Sequence, residues 1–313
     1  MATTTRHAID HHCKERSGKE ANMRRTLAHK RMLITGASSG IGRALALAAA
    51  TRGARVAVAS RSADRLAHLV TEIEASGGEA IALPTDVTVP QDRADLFHRV
   101  VEQFGGLDIL VNNAGVAAHG HFVDLNPDIL RKIMEVNFFA YAENCRLAIP
   151  LLAEGNQPLI TNVSSMAGRR GVPAWSEYSA SKFAVCGFSE ALRAELARFE
   201  IDLMLVVPGL TKSELGSNML AHKGRLPADH EGGLPAEIVA QKILDGMEKN
   251  KHELRIEKDA RLLLFVNWLM PRFVDWRMAK VVRRLYANEI AHRHGRGQQP
   301  VEPRNRPATS GSP

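Results

Sequence analysis

The chain has 313 residues, 45% hydrophobic and 24% charged, a globular make-up with length for one large core or a core plus an appendage. The net charge of +7 is concentrated: between Arg255 and Arg296 ten Lys/Arg stand against four Asp/Glu, which argues against a uniformly basic nucleic-acid binder and for a basic appendage. No apolar run approaches the roughly 18–20 residues of a membrane span, and the charged N-terminus lacks the apolar stretch of a secretory signal.

Residues 1–29 are polar and without apolar periodicity, so they read as a disordered leader, with Met23 as an alternative start to Met1. A regular alternation begins at Arg31. Met32–Thr35 is a short apolar strand, followed by a Gly/Ser turn and an Ala/Leu-rich helix over Gly42–Thr51. Arg55–Ala59 is a second strand and Asp64–Ser76 a helix. Ala80–Pro84, Leu107–Val111, Leu159–Val163 and Asp202–Val207 are further apolar runs separated by helical patterns. Strands alternating with helices predict a parallel sheet covered on both faces, a doubly wound, Rossmann-like α/β domain over residues 30–255. Pro235–Asn250 reads as one more amphipathic helix and Glu253–Glu257 as an edge strand. Residues 256–294 form a basic helical extension that Pro271 should kink or split. From Gly295 to residue 313 the chain is rich in Gly, Pro, Gln and Ser and reads as a disordered tail.

Thr35-Gly36-Ala37-Ser38-Ser39-Gly40-Ile41-Gly42 ends the first strand and opens a helix. Glycines there permit a tight turn and close approach of a pyrophosphate, which the helix N-terminus stabilises. The spacing is Gly-x-x-x-Gly-x-Gly. A carboxylate at the end of the second strand would favour NAD(H) by binding a ribose 2′-OH. Here the run is Ala59-Ser60-Arg61-Ser62, and Arg61, with Arg43 as a second cation, suits a 2′-phosphate; NADP(H) is therefore favoured over NAD(H). Asp86-Val87 after the third strand and Asn113-Ala114-Gly115 after the fourth are placed to flank the adenosine half.

Tyr178 and Lys182 lie four residues apart, on one face of a helix, where an ammonium can stabilise an ionised phenol. The pair alone is weak, since Tyr-x-x-x-Lys recurs by chance about once in a few hundred residues. The ordered set Thr35–Gly42, Asp86, Asn112–Gly115, Asn137, Ser164-Ser165, Tyr178-x-x-x-Lys182 and Pro208-Gly209 is another matter. It resembles the short-chain dehydrogenases/reductases over about residues 31–210.

That resemblance implies a role for each matching residue. Tyr178 is the general acid/base, and Lys182 lowers its pKa and holds the nicotinamide ribose. Ser165 binds the substrate carbonyl, leaving Ser164 structural. Asn137 anchors a water in a relay towards Lys182, or serves as a helix-packing amide. Pro208-Gly209 lies under the nicotinamide, with Ser213 where the family usually has Thr. The resemblance also implies a homodimer or homotetramer. The chemistry is coherent by itself, because Ser165 and Tyr178 would be donors aimed at a developing oxyanion.

Trp175, His119, Phe122 and the loop Leu215–Leu234 are placed to surround the substrate. The three cysteines (Cys13, Cys145, Cys186) fit no metal or redox spacing and suit a reducing cytoplasm, and the cluster His7, His11 and His12 in the polar leader reads as solvated rather than as a metal site. The extension, with apolar Leu262, Phe265, Leu269, Phe273 and Trp276 beside Arg272, Arg277, Lys280, Arg283 and Arg284, leaves three readings open. It packs across the substrate mouth, pairs with a partner subunit, or lies on anionic lipid at the membrane surface. The chain is thus expected to be an NADP(H)-dependent oxidoreductase acting on a carbonyl or secondary alcohol of an apolar, lipid-, retinoid- or steroid-like substrate. The alternatives are a 3-ketoacyl reductase, which the long extension disfavours, and a non-catalytic NADP(H)-sensing regulator, which the intact Ser165, Tyr178 and Lys182 disfavour.

Overall fold

The computed structural model describes residues 24–216, 219–226, 232–256 and 258–295. His7, His11, His12, Cys13, Met23 and the expected tail beyond residue 295 lie outside the described residues. Seven parallel strands form the central sheet: β1 (Arg31–Thr35), β2 (Arg55–Ser60), β3 (Glu79–Pro84), β4 (Ile109–Asn112), β5 (Leu159–Val163), β6 (Asp202–Val207) and β9 (Glu253–Arg255). Their spatial order is β3-β2-β1-β4-β5-β6-β9. The chain winds outward from β1 in one direction and then restarts at β4 in the other. A ligand crevice is expected at that reversal, outside the C-terminal ends of β1 and β4.

The strands read as unbroken apolar runs because both faces of the sheet are covered. Met32 and Ile34 of β1, Val56 and Val58 of β2 and Met204 and Val206 of β6 bury one face against three helices. These are α1 (Gly40–Thr51), α2 (Ala63–Ala75) and α7 (Ala236–Glu248). The alternate residues Leu33, Ala57, Leu110, Ile160 and Leu203 bury the other face. That side is covered by α3 (Pro90–Phe104), α5 (Ala140–Ala153) and α6 (Ser176–Leu196). α4 (Pro127–Met134) runs into α5 through a single π turn, Glu135–Phe139. A small parallel pair, β7 (Thr211–Lys212) and β8 (Leu234–Pro235), stands apart from the main sheet.

One expectation needs correction. Residues 24–29, assigned to the leader, are packed in part. Arg25 is buried, donates to the carbonyls of Gln157 and Met247 (both 3.0 Å) and pairs with Asp202 at 2.6 Å, while Leu27 is buried too. The segment lacks periodicity because it is pinned by one guanidinium with three acceptors, not by an apolar stripe. The extension is three helices: α8 (Lys258–Leu269), α9 (Pro271–Leu285) and α10 (Ala287–Gly295). Pro271 splits the segment as expected, taking the first position of α9 where its missing N–H costs nothing.

Candidate active site

The Gly-rich turn is shaped by contacts from outside itself. Gly36 has φ +66°, and a Cβ there would lie 2.6 Å from the Cα of Ala114. A Cβ on Gly42 would run into the carbonyl oxygen of Gly36. Asn113 clamps the turn by donating through Nδ2 to the carbonyls of Thr35 (3.0 Å) and Gly36 (3.1 Å). The Thr35 hydroxyl in turn accepts from the amides of Asn113 (3.1 Å) and Ala114 (3.2 Å). The side chain of Asn113, expected to lie against an adenosine, is therefore committed to holding the turn. α1 begins directly after it with no acidic residue in its first turn, leaving its amide dipoles open to an anion.

The turn forms one wall of a cleft of about 1140 Å³ at the C-terminal edge of the sheet. Gly36, Ser38, Ser39, Gly40, Ile41, Arg61, Asp86, Val87, Asn113, Ala114, Gly115, Ser165, Trp175, Tyr178, Lys182, Pro208, Gly209 and Ser213 all line it. Of the residues singled out for cofactor or chemistry, Gly42, Arg43 and Asn137 do not line it. Gly42 packs under the turn, Arg43 is paired with Glu72 on α2, and Asn137 braces the loop after β4. Ser213 reaches the turn itself, 3.1 Å from where a Cβ on Gly40 would stand.

Tyr178 and Lys182 sit in the first two turns of α6, and Ser165 on the loop after β5. Ser165 and Tyr178 line the same cleft, where the Ser165 hydroxyl accepts from the Ala167 amide at 3.1 Å. The Lys182 ammonium lies 5.8 Å from the Tyr178 ring centre and 5.3 Å from that of Tyr141, and donates to the carbonyl of Val163 at 2.9 Å. Burial pulls the Lys182 ammonium down to about 8. Burial also raises the phenol of Tyr178 above its ordinary range, against the opposing pull of the Ser165 hydroxyl. The lowering of the phenol by Lys182 is thus not the prevailing effect in this state. Desolvation of the phenol sets the direction instead.

Ser164 has a different place. Its hydroxyl donates to the Lys182 carbonyl at 2.9 Å and lies 3.3 Å from the Cys186 sulfur, so it ties β5 to α6. Asn137 is the middle residue of the π turn. Its amide exchanges hydrogen bonds with the backbone of Val116 (2.8 and 3.0 Å) and donates to Ser181 Oγ at 2.9 Å. Its side chain is fully engaged in bracing the loop after β4 against α6, which matches the packing-amide alternative. A π turn inside a helix often marks a functional site, because it re-aims one residue.

At the end of β2, Arg61 faces the cleft with no carboxylate beside it on the strand. Asp86 opposite is held ionised: burial pushes it up, but hydrogen bonds from the amide and hydroxyl of Thr88 and the charge of Arg61 outweigh that. Arg65, in the first turn of α2, also lines the cleft and pairs with Glu214 at 2.6 Å, linking α2 to the segment after β7. The i,i+4 spacing of Arg61 and Arg65 was readable in the sequence; the pairing with Glu214 was not.

The far wall is built from loops. Trp175 stands edge-on to Tyr178, 5.8 Å between ring centres, and 5.2 Å from His119. His119 is fully buried behind Trp175, its backbone bonded to Ala221, Lys223 and Gly224, so it supports the wall rather than lining it. Phe122, expected at the substrate, is instead 63% exposed on the outer surface, because the short helical turn Phe122–Asp124 directs it away. Leu215, Met219 and Leu220 complete the apolar lining. The extension lies behind this wall. Tyr286 meets the His121 ring edge-on at 4.7 Å, Arg225 stacks on Tyr286 and pairs with Glu289 at 2.7 Å, and Arg170 pairs with Asp275. Nothing in the sequence linked Tyr286 to His121.

A parallel sheet with a glycine turn at its reversal point, and a serine, a tyrosine and a buried lysine gathered in the same cleft, defines an α/β protein of Rossmann-like architecture. A family profile described as short chain dehydrogenase matches residues 30–224. The chain is 32% identical to the ketoacyl reductase HetN of Nostoc sp. over 80% of this chain and 88% of that protein. It is 30% identical to dehydrogenase/reductase SDR family member 7B of Bos taurus, over 84% of each. A short-chain dehydrogenase/reductase from Burkholderia phymatum, solved in complex with NAD, superposes with a TM-score of 0.74 at 25% identity, covering 80% of this chain and 96% of that one. One from Burkholderia cenocepacia, solved with NADP, gives 0.68 at 32% identity over 76% and 100%. The chain belongs to the short-chain dehydrogenase/reductase family and is an oxidoreductase.

Proposed function

We propose that the protein is an NADP(H)-dependent carbonyl reductase, or secondary-alcohol dehydrogenase in reverse, for an apolar substrate, with Tyr178 as its general acid/base. The observation that carries this reading is that Ser165, Tyr178 and the buried Lys182 line the same cleft as the glycine turn, with the Lys182 ammonium 5.8 Å from the Tyr178 ring centre. The turn fits a dinucleotide, since a Cβ at Gly36 or Gly42 would fill the cradle and Asn113 fixes its shape. Gly36, Ser38, Ser39 and Ile41 would hold the pyrophosphate, Arg61 a 2′-phosphate, Asp86, Val87 and Ala114 the adenosine, and Lys182, Pro208, Gly209 and Ser213 the nicotinamide half. When bound, the nicotinamide supplies or removes the hydride.

This chain's residues handle the oxygen and its proton. Ser165 and Tyr178 offer two hydroxyls to a carbonyl oxygen, and both hydrogen bonds strengthen as that oxygen gains charge. Because burial raises its pKa, the Tyr178 phenol is protonated at neutral pH and ready to give its proton to the alkoxide. Lys182, down at about 8, is still mostly ammonium at pH 7 and stabilises the tyrosinate left behind. Trp175, Leu215 and Met219 give the substrate side an apolar wall, which supports an apolar substrate.

The test is a panel of ketones, long-chain aldehydes and a 3-ketoacyl thioester, following NADPH and then NADH by absorbance. Apolar ketones reduced with NADPH, and no turnover by Tyr178→Phe that still binds NADPH, are expected. Full activity in Tyr178→Phe overturns the assignment, and a preference for NADH overturns the role of Arg61. The relative described as a ketoacyl reductase supports a second reading, which wins if the thioester is the best substrate. A homo-oligomer goes with the proposal. Phe139 and Phe183, exposed where the π turn leads into α5 and on α6, supply an apolar surface for it, and sedimentation velocity reads the state.

A further inference from the structure

We propose that the outward face of α8 and α9 docks the protein on an anionic lipid surface. On α8, Leu262, Phe265, Trp268 and Leu269 fall at helical spacing on one face, and all are exposed, Trp268 by 77%. After the break at Met270, α9 exposes Phe273 and Trp276, whose rings lie 5.9 Å apart. Single exposed apolar residues are ordinary on a protein surface. Two adjoining helices that each expose an aromatic pair with a tryptophan are not, and they mark an interaction site.

The charges decide what kind of partner fits. The inner side of α9 faces the protein body: Val274 is buried, Asp275 pairs with Arg170, and Met278 lies 3.6 Å from the same guanidinium. On α10, Glu289 pairs with Arg225. Both described carboxylates of these two helices are thereby neutralised by cations of the body. The cations of α9 are not neutralised. Arg272, Arg277, Arg283 and Arg284 are exposed and form no ion pair among the described residues, and Lys280 lies over the Trp276 ring at 4.9 Å. Counted by helical angle, Arg277, Lys280 and Arg284 share the side of Phe273 and Trp276.

Aromatic rings flanked by unpaired Arg and Lys suit the boundary between acyl chains and anionic headgroups, where rings enter and cations stay at the phosphates. A second copy of this chain fits poorly, since a two-fold contact would set these cations against their own equivalents. No helix of the described residues is long and apolar enough to cross a membrane, so the helices would lie on the surface. α9 and α10 also back the substrate wall through Asp275 and Tyr286. Resting on the reductase reading, docking would therefore bring the mouth of the cleft near lipid, where an apolar carbonyl would be concentrated.

The experiment is co-sedimentation of the purified full chain with vesicles of phosphatidylcholine alone and of phosphatidylcholine mixed with phosphatidylglycerol, at low and high salt. Binding to the phosphatidylglycerol vesicles only, weakened by salt and accompanied by a blue shift of tryptophan emission, is expected. Arg277→Gln and Arg284→Gln should each weaken partitioning about fivefold, at ~1 kcal/mol per cation near an anionic surface. Phe265→Ser with Trp268→Ser should abolish it while far-UV circular dichroism is unchanged. Tyr178→Phe should bind vesicles like the wild type, so this result stands apart from that of the catalytic assignment. No binding, equal binding to both vesicle types, or indifference to the Arg substitutions would overturn the proposal. So would a double Ser variant that splits a dimer with no vesicle binding to lose.

Discussion

The two walls of the cleft are made in different ways. The wall with the glycine turn rises from strand ends, and its contacts join residues that the sheet register already brings together: Gly36 against Ala114, and Thr35 against Asn113. The opposite wall is assembled from the loop after β4, the Trp175 segment, residues 219–225 and the C-terminal helices, joined by ring contacts and guanidinium pairs. The first is rigid because a side chain at Gly36 or Gly42 would collide with the backbone of Ala114 or of Gly36 itself. The second can vary without disturbing the sheet. On the proposed reading, cofactor binding and substrate choice would rest on separable parts of the molecule, with Tyr178 where they meet.

The largest effect should come at that meeting point. Ser165→Ala removes one of two donors to the developing oxyanion and should lower kcat by about 10²–10³-fold, as loss of an oxyanion donor does elsewhere. Ser164→Ala, one residue away, should leave kcat within a few-fold and instead cost about 0.5–1.5 kcal/mol of stability, because it removes a buried hydrogen bond tying β5 to α6 while the Lys182 carbonyl keeps its helical partner. Steady-state kinetics and urea unfolding of the pair check both. Equal kinetic losses would mean that the two serines had been given the wrong roles.

The next effect concerns Lys182 and pH. Its folded pKa of about 8 lies below the ordinary 10.5, so between those values the unfolded chain binds more protons than the folded one. Stability then rises with pH across that window, and the cost of burying the ammonium is felt in full below pH 8. Wild type minus Lys182→Met, compared by urea unfolding of the cofactor-free protein, should gain up to roughly 3 kcal/mol from pH 8 to 10.5. A flat difference would show that the ammonium is not desolvated. Reduction activity should decline as pH rises above about 8, where Lys182 loses its charge.

The glycine wall is tested by Gly36→Ala. Its added methyl meets the backbone of Ala114 at 2.6 Å from a left-handed conformation, where neither side can yield cheaply. A loss of about 1–3 kcal/mol is expected, together with weaker dinucleotide binding by calorimetry. Unchanged stability and affinity would remove the claim that this wall is rigid.

The same contrast explains what the sequence discloses. The glycine turn, the Tyr178–Lys182 spacing and Arg61 at a strand end are local signals, carried by a few consecutive residues or by one helical turn. The paired apolar faces of the sheet follow from period-two alternation, as Met32 and Leu33 show by burying on opposite sides. The clamp by Asn113 was hidden, because an amide at a strand end gives no sign of which backbone it will reach. Phe122 was misplaced for the complementary reason: proximity to a motif does not fix the direction of a loop side chain. The packing of residues 24–29 and of Tyr286 depends on partners distant in sequence, and no periodicity announces such a contact.

The smallest expected effect falls on the loop wall and is the sharpest test of separability. Tyr286→Ala removes the edge contact with His121 and the ring beneath Arg225, contacts worth about 0.5–1.5 kcal/mol each at a partly exposed site. Neither residue touches the glycine turn, and His121 is joined to the cleft through the backbone next to buried His119. The expected outcome is a severalfold rise in KM for a bulky ketone, with kcat for a small ketone and the dinucleotide Kd both unchanged. A matching fall in dinucleotide affinity would mean that the walls move together, and that the extension helps shape the whole cleft rather than its substrate side.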